Sequence, residues 1–227
     1  MTSPNNSNKN NISANNETDK ESSEKQNGML AGIFERATKS GLGRKKSNPS
    51  PVESAVAKDM ADIHSNPTKL RLAFLGGGSF GTAMANLAAR NGCDTTLWVR
   101  NKRTVKAMAK TQTNKKYLPG YKLDDRLKYS HDLAASVKDK DIIFIAVPGL
   151  AFRETLKNIA PFISGQSIVS LTKGMEKDTF AMMSDIIKEV LPEVNFGVMS
   201  GPNLAIEIMK NMPSATVIAS ESEPLRH

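Results

Sequence analysis

The sequence predicts an α/β fold, a doubly wound and mostly parallel sheet preceded by a disordered tail, on three observations. From Lys69 onward, short apolar runs alternate with segments of helical period, the signature of parallel strands joined by crossover helices. A glycine cluster, "LGGGSFG", joins the first of those runs to the first helical segment. The first 69 residues, in contrast, are crowded with Asn, Ser, Lys and Glu and offer little apolar surface to offset the entropy of ordering a chain.

Within residues 1–69 a brief apolar patch, Met29 to Ala37, reads as a sticky spot in a tail or as a short docking helix, marginal on its own in water. The folded part opens with "LRLAFLG" as a first strand. "SFGTAMANLAARNG" follows as a helix, closed by Asn91 and Gly92 as its C-terminal cap. "TTLWV" is a second strand, and the connection from Asn101 to Lys140 is expected to hold a helix at Thr104–Lys110 and a loop through "YLPGYKL". "DIIFIAVP", "QSIVSL", "FGVMS" and "SATVIAS" are further strands, with "AFRETLKNIAPFI" and "FAMMSDIIKEVL" as helices between them. No internal repeat of fixed period is present.

The formal charge is +8. Residues 1–69 hold ten basic and eight acidic residues, so most of the surplus lies in the folded part, much of it between Arg100 and Lys128. No helix-turn-helix, zinc or RNA-binding aromatic motif accompanies that patch, so nucleic acid is not an expected partner and phosphorylated small molecules are. One cysteine, Cys93, precludes an internal disulfide framework and fits a reducing cytoplasm. No apolar run follows Met1 as in a secretory leader, and no stretch approaches the roughly 18 apolar residues of a membrane span. His64, His131 and His227 show no partner pattern for a base or a metal ligand, and no metal is expected.

Gly76, Gly78 and Gly81 form G-x-G-x-x-G in a strand, turn and helix context, which points to a Rossmann-like dinucleotide site. Gly76 permits the tight turn, Gly78 lets a pyrophosphate approach the backbone, and Gly81 lets the helix pack close to the sheet, where free amides meet the negative charge. A purely structural turn is the alternative. Where an acidic residue at the end of the second strand would repel a 2′-phosphate, this chain has Arg100, which permits NADP without excluding NAD. Lys102 and Arg103 nearby read equally as a solvated basic loop. Two further segments, "SLTKG" and "MSGPNLAIE", fall at carboxyl ends of strands, where ligands of open α/β sheets collect. Each alone is an ordinary strand-to-helix connection; in the second, a helix is expected to begin near Asn203.

"LGGGSFGTAMANLAARNG", "LWVR", "YLPGYKL", "AVPGLAFRETL", "LTKGMEKDT", "SGPNLAIEI" and "MPSATVIAS" together resemble, in order and spacing, the N-terminal half of the soluble bacterial NAD(P)-dependent glycerol-3-phosphate dehydrogenases. The resemblance runs from about Leu70 to Ser220. It implies reversible hydride transfer between NAD(P)H and dihydroxyacetone phosphate, giving glycerol 3-phosphate for phospholipid synthesis. It also implies that Ser79 and Phe80 touch the cofactor, that Arg100 sits by the adenosine end, and that Ala205 lines the cofactor site. Lys173 would contact both cofactor and substrate in a binding and electrostatic role, and Gly201 and Asn203 would face the substrate.

The family usually has a serine or threonine where this chain has Asn203, so the site is expected to survive with altered geometry. The family also continues into a helical domain with a second, proton-transferring lysine, and the full-length protein could be a homodimer. Ser220 and Glu223 form an S-x-x-E capping pattern with Pro224 suited to a first turn, so a helix is announced at "SESEPLRH". The expected organisation is therefore a tail over 1–69, a dinucleotide-binding domain over 70–220, and at 221–227 the start of a helix leading to a further domain. By itself the 227-residue chain is expected to be inactive. Two other readings share the glycine loop: another two-domain phospho-sugar or hydroxy-acid dehydrogenase, and a non-catalytic nucleotide-binding module.

Overall fold

The computed structural model describes residues 70–226. The expectations for the segment 1–69, including the Met29–Ala37 patch and His64, and for His227, lie outside the described residues.

The apolar runs form seven strands: β1 (Arg71–Leu75), β2 (Asp94–Trp98), β3 (Lys128–Ser130), β4 (Ile142–Ile145), β5 (Ser167–Ser170), β6 (Phe196–Ser200) and β7 (Val217–Ser220). The helices are α1 (Ser79–Arg90), α2 (Lys102–Thr111), α3 (Leu133–Val137), α4 (Gly149–Ile159), α5 (Met183–Val190), α6 (Ala205–Met209) and α7 (Glu223–Arg226), with a 3-10 turn at Ala160–Phe162. The strands assemble in the order β3-β2-β1-β4-β5-β6-β7. All neighbours are parallel except β6 and β7. The chain builds outward from β1 through β2 to β3, then returns to lay β4 on the other side of β1. That reversal is a topological switch point, and it opens at the carboxyl ends of β1 and β4.

Side chains of a strand alternate between faces, and a parallel sheet is covered on both, so both alternating sets must be apolar. β1 shows the consequence. Leu72 and Phe74 enter one core with Ala85, Ala89, Leu97 and Met108. Ala73 and Leu75 enter the other with Ile143, Ile145, Phe152, Ile168 and Ile186. Phe74 and Phe144 stack across the sheet with ring centroids 4.5 Å apart.

Helix ends follow their local chemistry. After α1, the Gly92 amide donates to Ala89 O at 3.0 Å and the Cys93 amide to Ala88 O at 3.1 Å, the paired bonds of a Schellman cap, with Gly92 at φ 88°. The cap expected at Asn91 and Gly92 is therefore present. Asn101 caps α2 by accepting the Arg103 and Thr104 amides at 2.8 and 3.1 Å, so that helix starts at Lys102, two residues before the expected Thr104.

Other expectations about short elements and helix starts are corrected. β3 and α3 were not expected; three strand residues and five helical ones are too few for periodicity to register. The helix expected from Phe180 starts at Met183, because Met175 and Met182 pair as an isolated antiparallel bridge and hold the intervening residues in a closed loop. The helix expected near Asn203 starts at Ala205, since the Asn203 amide turns back to Gly201 O at 2.9 Å and Leu204 is still extended. α7 begins at Glu223, which puts its cap position at Ser222 and not at Ser220. Ser220 Oγ donates instead to Phe196 O on β6 at 2.5 Å and accepts the Ser222 amide at 3.1 Å.

Among the described residues no helix is long and apolar enough to cross a membrane.

The packing of α1 on the sheet generates a stability contrast. A Cβ built at Gly81 would lie 2.2 Å from Gly76 O and 2.9 Å from Ala146 Cβ, whereas one built at Gly78 meets nothing within 4 Å. Gly81→Ala is expected to cost about 1–3 kcal/mol as an overpacked contact. Gly78→Ala should stay within about 0.5 kcal/mol of wild type. Urea unfolding midpoints check both, and equal midpoints for the two variants would contradict the packing argument.

Candidate functional site

The glycine loop sits at the switch point, and each glycine has a distinct reason to be there. Gly76 has φ +130°, and a Cβ on it would lie 2.4 Å from Ala146 O at the end of β4. Gly76 also donates its amide to Trp98 O at 3.1 Å, which ties the turn to the end of β2. Gly81 brings α1 against that turn. Gly78, the residue before α1, faces open space. A helix start leaves its first amides without intrahelical partners, so Ser79, Phe80 and Gly81 present donors and the positive end of the helix dipole. Together, an uncovered backbone at Gly78 and free amides beside it fit a dinucleotide pyrophosphate.

A residue outside the sequence motif holds this loop. Asn114, only 1% exposed, donates from Nδ2 to Gly77 O at 3.0 Å and to Thr82 Oγ1 at 2.9 Å. Nothing in the local pattern "QTNKKYLPG" marks it, because its partners lie 37 and 32 residues away. On the β2 side, Val99 packs over Gly77, and the exposed Arg100 follows it directly. Arg100 makes no ion pair among the described residues, and Lys102 and Arg103 beside it are also exposed.

The second group of residues comes from the ends of β5 and β6, which share the carboxyl edge of the sheet with the glycine loop. Leu171 N donates to Ile145 O at 2.8 Å, and Thr172 Oγ1 donates to Val147 O at 2.8 Å, so the end of β5 is fastened to the end of β4. Lys173 is the next residue, exposed, with Nζ 3.2 Å from Gly201 O. Asn203 Nδ2 donates to Thr216 Oγ1 at 3.1 Å, and Thr216 Oγ1 donates to Ser200 O at 3.2 Å. The other end of that amide, Asn203 Oδ1, is buried without a hydrogen-bond partner, as is Ser214 Oγ. A buried acceptor without a partner is uncommon in a folded protein and sets this turn apart from an ordinary connection.

Lys173, Gly201 and Asn203 are thus brought together directly. Ala205, the first residue of α6, joins the apolar cluster of Ala83 and Ile208 that also includes Phe80, so α6 is seated against α1. The loop leaving Lys173 is anchored by a further contact. Arg153 on α4 donates from Nε and Nη2 to Glu176 at 2.7 and 2.9 Å, and its Nη1 lies 2.6 Å from Glu189 on α5. Thr179 Oγ1 adds a bond to Glu176 at 2.6 Å. The Arg153 guanidinium, helped by the Thr179 hydroxyl, pulls the Glu176 carboxyl down to about 2. Arg153 itself is pushed above its ordinary value by Glu176 and then Glu189. Asn114, Thr216, Arg153 and Glu176 all escaped the sequence reading, because each is defined by a partner more than ten residues distant.

A cavity of about 780 Å³ lies at the opposite, amino-terminal edge of the sheet, lined by Arg71, Lys138, Lys140 and Gln166 among others, and includes none of these residues. Two of its basic side chains are engaged internally: Arg71 with Asp141 at 2.6 Å, and Lys140 Nζ with Thr96 Oγ1 at 3.1 Å. His131 is exposed, and its carbonyl accepts the Trp98 indole N–H at 3.1 Å. Among the described residues no three His, Cys, Asp or Glu side chains are grouped to hold a metal ion.

Comparison with known proteins fits this arrangement. The chain is 90% identical over 204 residues to a glycerol-3-phosphate dehydrogenase [NAD(P)+] of Psychrobacter arcticus, a match covering 90% of this chain and 47% of that protein. It is 59% identical over 160 residues to a protein of the same name from Acinetobacter baumannii, covering 70% of this chain and 45% of the relative. The chain therefore spans about half the length of the curated relatives it matches. Among solved structures, a glycerol-3-phosphate dehydrogenase from Coxiella burnetii superposes with a TM-score of 0.67 at 36% identity, over 70% of this chain and 49% of that one. The yeast glycerol-3-phosphate dehydrogenase gives a TM-score of 0.61 at 27% identity, over 67% and 47% of the two chains. Residues 71–225 match the family described as NAD-dependent glycerol-3-phosphate dehydrogenase N-terminus, and the chain belongs to that family.

Proposed function

We propose that this chain supplies the cofactor-binding domain, and part of the substrate site, of an enzyme that interconverts dihydroxyacetone phosphate and sn-glycerol 3-phosphate with NADP or NAD. The observation that carries the reading is the meeting of Lys173, Gly201 and Asn203 at the sheet edge that also holds the open Gly78 loop. The family membership supports it.

When bound, the nicotinamide cofactor supplies or accepts the hydride. The chain's own residues do the rest of the work assigned to this half. Gly76 shapes the turn, Gly78, Ser79, Phe80 and Gly81 hold the pyrophosphate through backbone amides, Arg100 takes the adenosine end, and Ala205 closes the site from α6. Reduction of a ketone builds negative charge on its oxygen, so an ammonium fixed nearby stabilises the transition state more than the ground state. Lys173 fills that role. Its ammonium rests on a carbonyl oxygen, Gly201 O, just past the end of β6, which supports a donor placed at that turn. Asn203, whose backbone N–H turns back to Gly201 O, is assigned to face the substrate beside Gly201. Proton transfer and most phosphate ligation fall to residues beyond this half.

In this reading residues 70–220 are the dinucleotide-binding domain and 221–227 begin the connection to the remainder. The enzyme works in the cytoplasm, provides glycerol 3-phosphate for phospholipid synthesis, and can pair as a homodimer.

Three outcomes are expected. Gly78→Ala leaves folding intact yet weakens NADPH and NADH binding at least tenfold in a fluorescence titration; an unchanged Kd would remove the loop from the cofactor site. Arg100→Ala raises the Kd for NADPH more than that for NADH, while equal effects would assign Arg100 to a solvated loop. In the full-length enzyme, Lys173→Ala lowers kcat/KM for dihydroxyacetone phosphate by about 10²–10³, the scale of losing one transition-state donor. A near-wild-type value would refute its role.

A further inference from the structure

We propose that Arg153 is a positioning residue for Lys173, clamping through Glu176 the loop that carries the lysine without touching any ligand itself. This inference deepens the functional reading above and rests on it.

Lys173 leads straight into a loop that has reasons to be loose. Gly174 follows it at φ +96°, and Asp178 and Phe180 also adopt positive φ, at 74° and 56°. Hydrophobic burial does not hold this segment down, since Met175, Phe180 and Met182 are 54%, 73% and 51% exposed. Ordering each such residue costs about 1–2 kcal/mol of backbone entropy, which other contacts must offset. What remains is polar. Before Lys173, Thr172 Oγ1 is hooked on Val147 O. After it, the Glu176 amide donates to Ala181 O at 2.9 Å and the Phe180 amide to Glu176 O at 3.0 Å, closing residues 176–181 into a unit.

That closed unit is joined to the helical layer through Arg153. Its planar guanidinium meets the Glu176 carboxylate in a two-point contact, which fixes direction as well as distance. The remaining Nη1 reaches Glu189, so α4, the loop and α5 are linked by one side chain. The pair is largely withdrawn from solvent, with side chains 21% and 16% exposed. α4 begins at Gly149, and a Cβ built there would lie 3.8 Å from Met175 O, so the loop lies across the helix start that follows β4. Lys173 is thus held between a hook on β4 and a clamp on α4.

The test uses the full-length enzyme. Arg153→Met and Glu176→Gln are each expected to lower kcat at least tenfold, with the NADPH Kd changed less than threefold and hydrogen exchange of residues 171–182 accelerated. Arg153→Lys, which keeps the charge and loses the two-point geometry, recovers part of kcat. The decisive arm is a double-mutant cycle. In a Lys173→Ala background, Arg153→Met should have no further effect on kcat. Persistence of the full loss there, or a kcat within threefold of wild type for both single variants, overturns the clamp. Glu176→Gln preserves shape, so it decides the matter if Arg153→Met fails to fold. Absence of turnover in the wild-type enzyme defeats the functional reading and the clamp with it; turnover in wild type with unaffected clamp variants defeats the clamp alone.

Discussion

The approach of Gly81 to the carbonyl of Gly76 is the constraint on which the rest of the site depends. Two backbones come so close that a single methyl would sit 2.2 Å from the Gly76 oxygen, and Gly76 in turn has no room for one against Ala146 O. With both Cβ atoms missing, α1 leans onto the sheet where the strand order reverses. The start of α1 is thereby aimed along the carboxyl edge, and Gly78 remains uncovered beside it. The packing of α1 on the sheet and the exposure of the amides in its first turn come from one geometric decision.

The other half of the site follows a different rule. Strand ends carry backbone groups that have run out of ladder partners, and these must be satisfied by something. Here side chains do it: Thr172 serves the carbonyls at the end of β4, Thr216 serves Ser200 O, and Lys173 serves Gly201 O. Fastening the strand ends to one another fixes the positions of the groups that would meet a ligand. Asn203 shows the arrangement left incomplete, with one end of its amide on Thr216 and the other buried without a partner.

Much of this was legible beforehand. The strands β1, β2, β4, β5, β6 and β7 announce themselves because sheet burial on both faces demands apolar runs, and the Schellman cap of α1 is written in Asn91 and Gly92. The packing tasks of Gly76 and Gly81 are also visible, in the positive φ of the first and the backbone contact of the second, since such a role is set by the backbone next to the glycine. What failed were boundaries and short elements. β3 and α3 are too brief for a period, and α5, α6 and α7 start later than expected because turns and side-chain bonds claim the preceding residues.

The sequence by itself determined the alternation of elements, the glycine loop and the identity of the family, because these reside in spacings of a few residues that need no partner elsewhere in the chain. Only the tertiary structure decided that Asn114 holds the glycine loop, that Lys173 rests on Gly201, and that Arg153 grips Glu176. Those pairs lie 37, 28 and 23 residues apart. A hydrogen bond depends on two atoms meeting within about 3 Å, and no local pattern encodes a meeting that exists only after the sheet has formed.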